Sequence, residues 1–126
     1  MNIVLWILQV LLAAEFAWHG SILLFPPAEL VEIMNKEFAL WFRLFLGAAE
    51  VLAAVGLILP GILRIAPRMI PVTAACLMVV MVAATIHHLG RGENMSAIIT
   101  TGIFFILGFV AYMRWRVKPI LPKHVG

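Results

Sequence analysis

Apolar positions fall into four long blocks, separated by short clusters of prolines, glycines and charges. The first block runs from Ile3 to about Phe25 and is stopped by Pro26-Pro27, which cannot continue a helix. The polar, amphipathic stretch 28–37 predicts a short helix lying in the membrane interface. The second block covers 38–59 and is closed by Pro60-Gly61, and a connection with Arg64, Pro67 and Arg68 leads to the third, 69–89. The turn Gly90-Arg91-Gly92-Glu93 precedes the fourth, 95–113, for which Asn94 is the expected N-cap. Each block is about 20 residues long, enough to cross a bilayer. The opening run is read as a retained first helix, because nothing basic precedes it and it is longer than a signal-peptide core.

These spans predict an all-α chain, a transmembrane antiparallel four-helix bundle forming one membrane domain over 1–126. Connections this short force neighbouring helices to run antiparallel. Composition agrees: 64% of residues are hydrophobic, 12% are charged, and there is no Asp. Small residues such as Ala13/Ala17 and Ala49/Ala53 suit close helix approach in lipid. The net charge of +3 is modest and its cations are not interleaved with aromatics, so nucleic acid is not implied. A lone cysteine, Cys76, rules out an intramolecular disulfide or a cysteine zinc site. Charge also sets an orientation. Arg64, Arg68, Arg114, Arg116, Lys118 and Lys123 crowd one side, whereas Lys36 and Arg91 on the other are offset by Glu29, Glu32, Glu37 and Glu93. The positive-inside rule then places both termini, and the basic tail 114–126, in the cytoplasm.

Ionisable residues inside the blocks are the candidate chemistry. They are Glu15, His19, Arg43 and Glu50, with His87 and His88 near the end of the third span. A charge at mid-bilayer costs about 2.5–3.5 kcal/mol even on a lenient scale, so such residues normally face inward and serve a purpose. Glu15 and His19 share a face of the first helix, and Arg43, Gly47 and Glu50 share one of the second. Their depths predict a single polar pocket on the first three spans, open to the outside, with Glu15 and Glu50 at its floor. His87 and His88 point about 100° apart, so one of them is expected to look inward. Ser96 and Thr100 would complete the lining.

Three chemistries fit this set. Glu15 and Glu50, partnered by His19 and His88 and with Arg43 as anion stabiliser, would act as acid and base on a small lipophilic molecule. Glu15, His19, Glu50 and His88 would also suit a transition metal, although their spacing is not that of di-iron bundles. Finally, Arg and His would hold quinone carbonyls while the carboxylates pass protons, with Trp18, Trp41, Phe42 and His87 near the ring. Structural readings stand beside these: Arg43 as one half of a register-fixing ion pair, and Trp18, Trp41 and one histidine as interfacial anchors. Limited interior space and small-residue faces point to a homo-oligomer, a dimer or trimer.

Several stretches together resemble one family. They are LWILQVLLAA, FRLFLGAAEVLAAVGLILPG, RIAPRMIPVTAA, HHLGRGE and FVAYMRW. The resemblance is to the DoxX-like family of small bacterial membrane proteins, and it spans almost the whole chain. It implies a four-helix protein of the bacterial inner membrane, with relatives associated with membrane redox and oxidative-stress systems. The family takes its name from a subunit of a thiosulfate:quinone oxidoreductase, and most members have no assigned activity. Arg43 and Glu50 match polar positions of the family's second-helix motif, and His88 matches the histidine before its Arg-Gly-Glu turn. Glu15, His19 and His87 depart from the pattern and add an acid and a base to it. Two functions of different class follow: a membrane isomerase, hydrolase or oxidoreductase, or a non-catalytic subunit that binds quinone or a partner protein.

Overall fold

The computed structural model describes residues 1–123, so positions 124–126 of the expected tail lie outside the described residues. Helix α1 spans Asn2–Leu24, α2 Ala28–Glu37, α3 Leu40–Leu63, α4 Met69–Gly90 and α5 Asn94–Tyr112, and α5 continues into a π-helical turn, Met113–Val117. All four long helices are long and apolar enough to cross a membrane. They form an antiparallel ring in which α1 packs on α3, α3 on α4, α4 on α5 and α5 back on α1. One consequence governs the site: α1 and α4 are diagonal.

Local sequence explains most helix ends. The Phe25 N–H reaches Ser21 O, and the two prolines that follow offer no donor to extend α1. Helix α2 carries Glu29 in its first turn and Lys36 in its last, matching the helix dipole, and buries no residue. The expected closure at Pro60-Gly61 is corrected: α3 runs through Pro60 to Leu63 and ends at Arg64, in the left-handed region (φ 55). Proline removes one N–H from the ladder, and a membrane helix tolerates that loss where neighbouring helices pack against it. Asn94 is likewise not the cap of α5. Glu93 holds that position, its carbonyl accepting the Ala97 N–H at 3.1 Å. Beyond Tyr112 the chain stays helical, with Lys118 N–H donating to Met113 O, so Arg114 and Arg116 sit on a helix rather than in a tail.

Close contacts join the ring. Gly20 and Gly47 form the α1/α3 crossing: a Cβ on Gly20 would lie 2.8 Å from Gly47 O, and one on Gly47 would lie 3.0 Å from Gly20 O. Thr73 packs on Gly56 between α3 and α4, and Thr85 and Thr100 hydrogen-bond at 2.7 Å between α4 and α5. The interior is filled by Leu5, Phe16, Leu57, Ile70 and Leu107, while large apolar side chains on all four long helices face outward, as lipid contact requires. The tail folds back over one end: Lys123 N–H donates to Arg64 O at 2.7 Å, and Arg64 Nε donates to Leu121 O at 2.9 Å.

The crossing has a direct test. Gly47→Leu forces α1 and α3 apart and is expected to destabilise the bundle by about 1–3 kcal/mol, lowering the thermal midpoint in detergent. Gly102→Ala, where a Cβ meets nothing within 4 Å, should leave the midpoint unchanged or raise it.

Candidate functional site

Antiparallel pairing of α1 and α3 brings polar groups together in sequence-matched steps. One step from the Gly20–Gly47 contact, His19 Nδ1 lies 2.9 Å from Glu50 Oε2 and 3.1 Å from Oε1. The carboxylate accepts the Nδ1–H, which leaves Nε2 as the free nitrogen of the ring. Glu50 is 2% exposed, whereas the His19 side chain is 52% exposed and looks out of the bundle. Glu15, one turn before His19, is exposed, and none of the hydrogen bonds or ion pairs among the described residues involves it. On the other side of the crossing, the buried Arg43 donates through Nη1 to Leu23 O, a carbonyl in the last turn of α1. That places a cation at the negative end of the helix. Arg43 forms no ion pair with a glutamate among the described residues, and its Nε is buried without a partner.

The histidines of α4 belong to a second cluster. His88 Nδ1 is 2.9 Å from Glu93 Oε1, Arg91 pairs with Glu37 at the end of α2, and Arg91 Nε is 3.8 Å from Glu93 Oε1. His87 Nε2 is 4.0 Å from Glu37 Oε2 and is buried without a hydrogen bond, its ring 5.4 Å from that of Phe38. The single pocket predicted from depth is therefore two sites. Depth along a helix says nothing about which helices are neighbours, and α4 lies diagonal to α1. The proposed ligand set Glu15, His19, Glu50 and His88 is not assembled: no group of three or more His, Cys, Asp or Glu able to hold a metal occurs among the described residues. Two open, mostly apolar grooves of about 220 and 300 Å³ lie between α4 and α5, sharing Thr85 and Thr101. Thr100 is engaged with Thr85, and Ser96 is half-buried on the same helix. Trp18 and Trp41 are largely exposed, with Trp41 edge-on to Phe42.

A buried polar network went unread in the sequence. Gln9, fully buried on α1, donates to Leu57 O at 2.7 Å and accepts from Arg114 Nε at 2.7 Å. Arg114 Nη1 reaches Asn2 Oδ1 at 2.7 Å and Lys118 O at 3.0 Å, so the π-helical turn closes the ring from α5 to α1. The available signal was the phase of Gln9, which falls in line with Leu5, Leu12 and Phe16 on the inward face of α1.

Two measurements probe these networks. Gln9→Leu strands the Arg114 Nε–H and is expected to cost about 1–3 kcal/mol in detergent unfolding. In the α4–α5 turn, the hydrogen bond from His88 holds the Glu93 carboxyl below its ordinary pKa, with Arg91 assisting. A lowered carboxyl pKa means that this contact stabilises the fold above the ordinary carboxylate range and is lost as pH falls through the lowered value. His88→Ala should return Glu93 toward its ordinary titration, read by carboxyl-carbon NMR; an unmoved titration would remove His88 as the cause.

No curated protein and no solved structure matches the chain. The family described as the DoxX-like family matches residues 7–111, a stretch that includes the His19–Glu50 pair and both α4 histidines and stops short of Arg114. With four membrane-crossing helices and a match over most of its length, this chain belongs to the DoxX-like family of membrane proteins.

Proposed function

We propose that this DoxX-like protein sits in the bacterial inner membrane with both termini in the cytoplasm and exchanges protons with a small lipophilic molecule at the His19–Glu50 pair. The observation that carries the reading is the asymmetry of that pair: a carboxylate 2% exposed holds one nitrogen of an imidazole that is itself 52% exposed. A buried carboxylate accepting Nδ1–H fixes the tautomer and leaves the Nε2 lone pair outward, the arrangement in which histidine serves as a general base and then returns the proton. The ring is presented sideways on the bundle, on a helix long and apolar enough to cross a membrane. Glu15, one turn away on the same helix, supplies a second proton-bearing group. Arg43 contributes by positioning, holding the end of α1 against α3. The orientation rests on Arg64, Arg68, Arg114, Arg116, Lys118 and Lys123 at the end of the bundle that carries both termini.

A second reading has its own support. The His19 ring is open to its surroundings, which suits a subunit that binds a quinone or a partner better than an enzyme that must exclude water. Hydrogen exchange separates the two. Wild-type protein in native-lipid nanodiscs, incubated in deuterated water, should place deuterium on a carbon of a membrane-soluble component, detected by mass spectrometry of the extract. His19→Ala and Glu50→Gln should reduce that rate at least about tenfold, since positioned acid–base groups typically contribute 10²–10⁴-fold. Exchange that is absent, or unchanged in both variants, sinks the acid–base reading; a co-purifying molecule lost with His19 but not exchanged favours binding alone. For the orientation, a fluorescent-protein fusion after the tail should fluoresce and an alkaline phosphatase fusion there should be inactive.

A further inference from the structure

Glu15 poses a problem that the isolated bundle does not solve. It lies nine residues before the end of α1, about 14 Å along the axis at 1.5 Å per residue. Its side chain is exposed on a flank of α1 and has no polar partner among the described residues. Hydrocarbon offers a carboxyl group nothing, whether it is ionised or neutral, and a lipid headgroup lies too far along the helix to reach it. His19, one turn on, presents its unused Nε2 on the same side. Around them, Val4, Leu11 and Trp18 are exposed and Leu8 and Ile22 half-buried. With Glu15 these residues are spaced alternately four and three apart, the repeat that keeps one seam of a helix against a parallel neighbour.

We infer that this face of α1 docks against the same face of a second copy of the chain, with Glu15 of each copy bonded to His19 of the other. The face is self-complementary. It carries an acid and a base one turn apart, so a twofold axis along the membrane normal makes two reciprocal contacts from one set of residues. A lipid tail or an unrelated apolar helix would offer neither Glu15 nor the His19 Nε2 a partner. A single polar site in an otherwise apolar seam also fixes register, because every shifted alignment leaves the carboxyl in hydrocarbon. The pairing stands on the exposure of Glu15; it occupies the His19 Nε2, so proton exchange with a lipophilic molecule at that nitrogen belongs to the unpaired chain.

Cross-linking and dilution test it on the full chain in liposomes. On a Cys76→Ser background, Leu11→Cys and Trp18→Cys should form disulfide-linked dimers on oxidation, whereas Phe105→Cys, exposed on α5, should not. Energy transfer between labelled copies, followed as the protein is diluted into lipid, should show association that Glu15→Gln weakens about three- to tenfold, the scale of interhelical hydrogen bonds in membranes. Equal cross-linking on α5, energy transfer no greater than for unrelated proteins at the same dilution, or an association that ignores Glu15→Gln would each overturn the inference. A wild-type readout covers a variant that fails to fold. A lipid-soluble carbodiimide should label Glu15 slowly where copies are paired and faster on dilution; labelling that is fast at every dilution overturns it too.

Discussion

Register between α1 and α3 is the contact on which the rest of this molecule depends. From one end of the pair to the other, Gln9 meets Leu57 O, His19 meets Glu50, Gly20 meets Gly47, and Leu23 O meets Arg43. In lipid the helices gain nothing from hiding apolar surface, so close backbone approach and hydrogen bonds must specify which side of each helix meets which. Two glycines supply the approach, and three polar pairs supply the alignment. Sliding α3 by one turn would strand the Glu50 carboxylate and the Arg43 guanidinium in an apolar interior together. That double penalty selects a single alignment.

From this seam the other parts follow in order. Arg43 holds the end of α1 where the prolines release the chain into α2. Gln9 ties the opposite end of α1 both to α3 and, through Arg114, to the turn that follows α5. The ring is thus closed by polar contacts at both ends, while apolar contacts fill its middle. Among the described residues Arg114 meets neutral oxygens and the face of Trp6, and its Nη2 is buried without a partner. A guanidinium can be buried on those terms because its donors are spread over a plane that several weak acceptors share.

Much of this was legible in the sequence, and the boundary of legibility is physical. Four spans are visible because hydrocarbon demands about 20 apolar residues regardless of how helices pack. Pairing of helix partners is not visible in that way. Proximity of Glu15 to His19 follows from helix geometry alone, but their outward direction does not. A soluble helix announces its buried side by an apolar stripe, whereas α1 is apolar all round, so its pattern holds no such contrast. Polar residues were expected to face inward on grounds of cost, and Glu50 and Arg43 do. Glu15 and His19 share that cost and face outward. Gln9 was passed over for the converse reason: an uncharged amide barely interrupts a hydropathy profile, yet it is buried at the centre of a network.

The two histidine clusters sit at separate places in the ring and are built differently. His88 is held by Glu93 only five residues ahead, and Glu37 and Arg91 clasp the same end of the bundle, so this cluster fastens α2 and the α4–α5 turn. Its carboxylates and cations satisfy one another, and all of them lie at the end of the ring. The α1 pair is different in kind. Glu50 is hydrogen-bonded from one side only, by a histidine whose other nitrogen is free and outward. A group that only stabilised the bundle would be as well served by an amide, as Gln9 shows on the same helix almost three turns away. An imidazole in that position adds the capacity to take up and release a proton. What sets α1 apart from α4 is thus one exposed imidazole backed by a buried carboxylate.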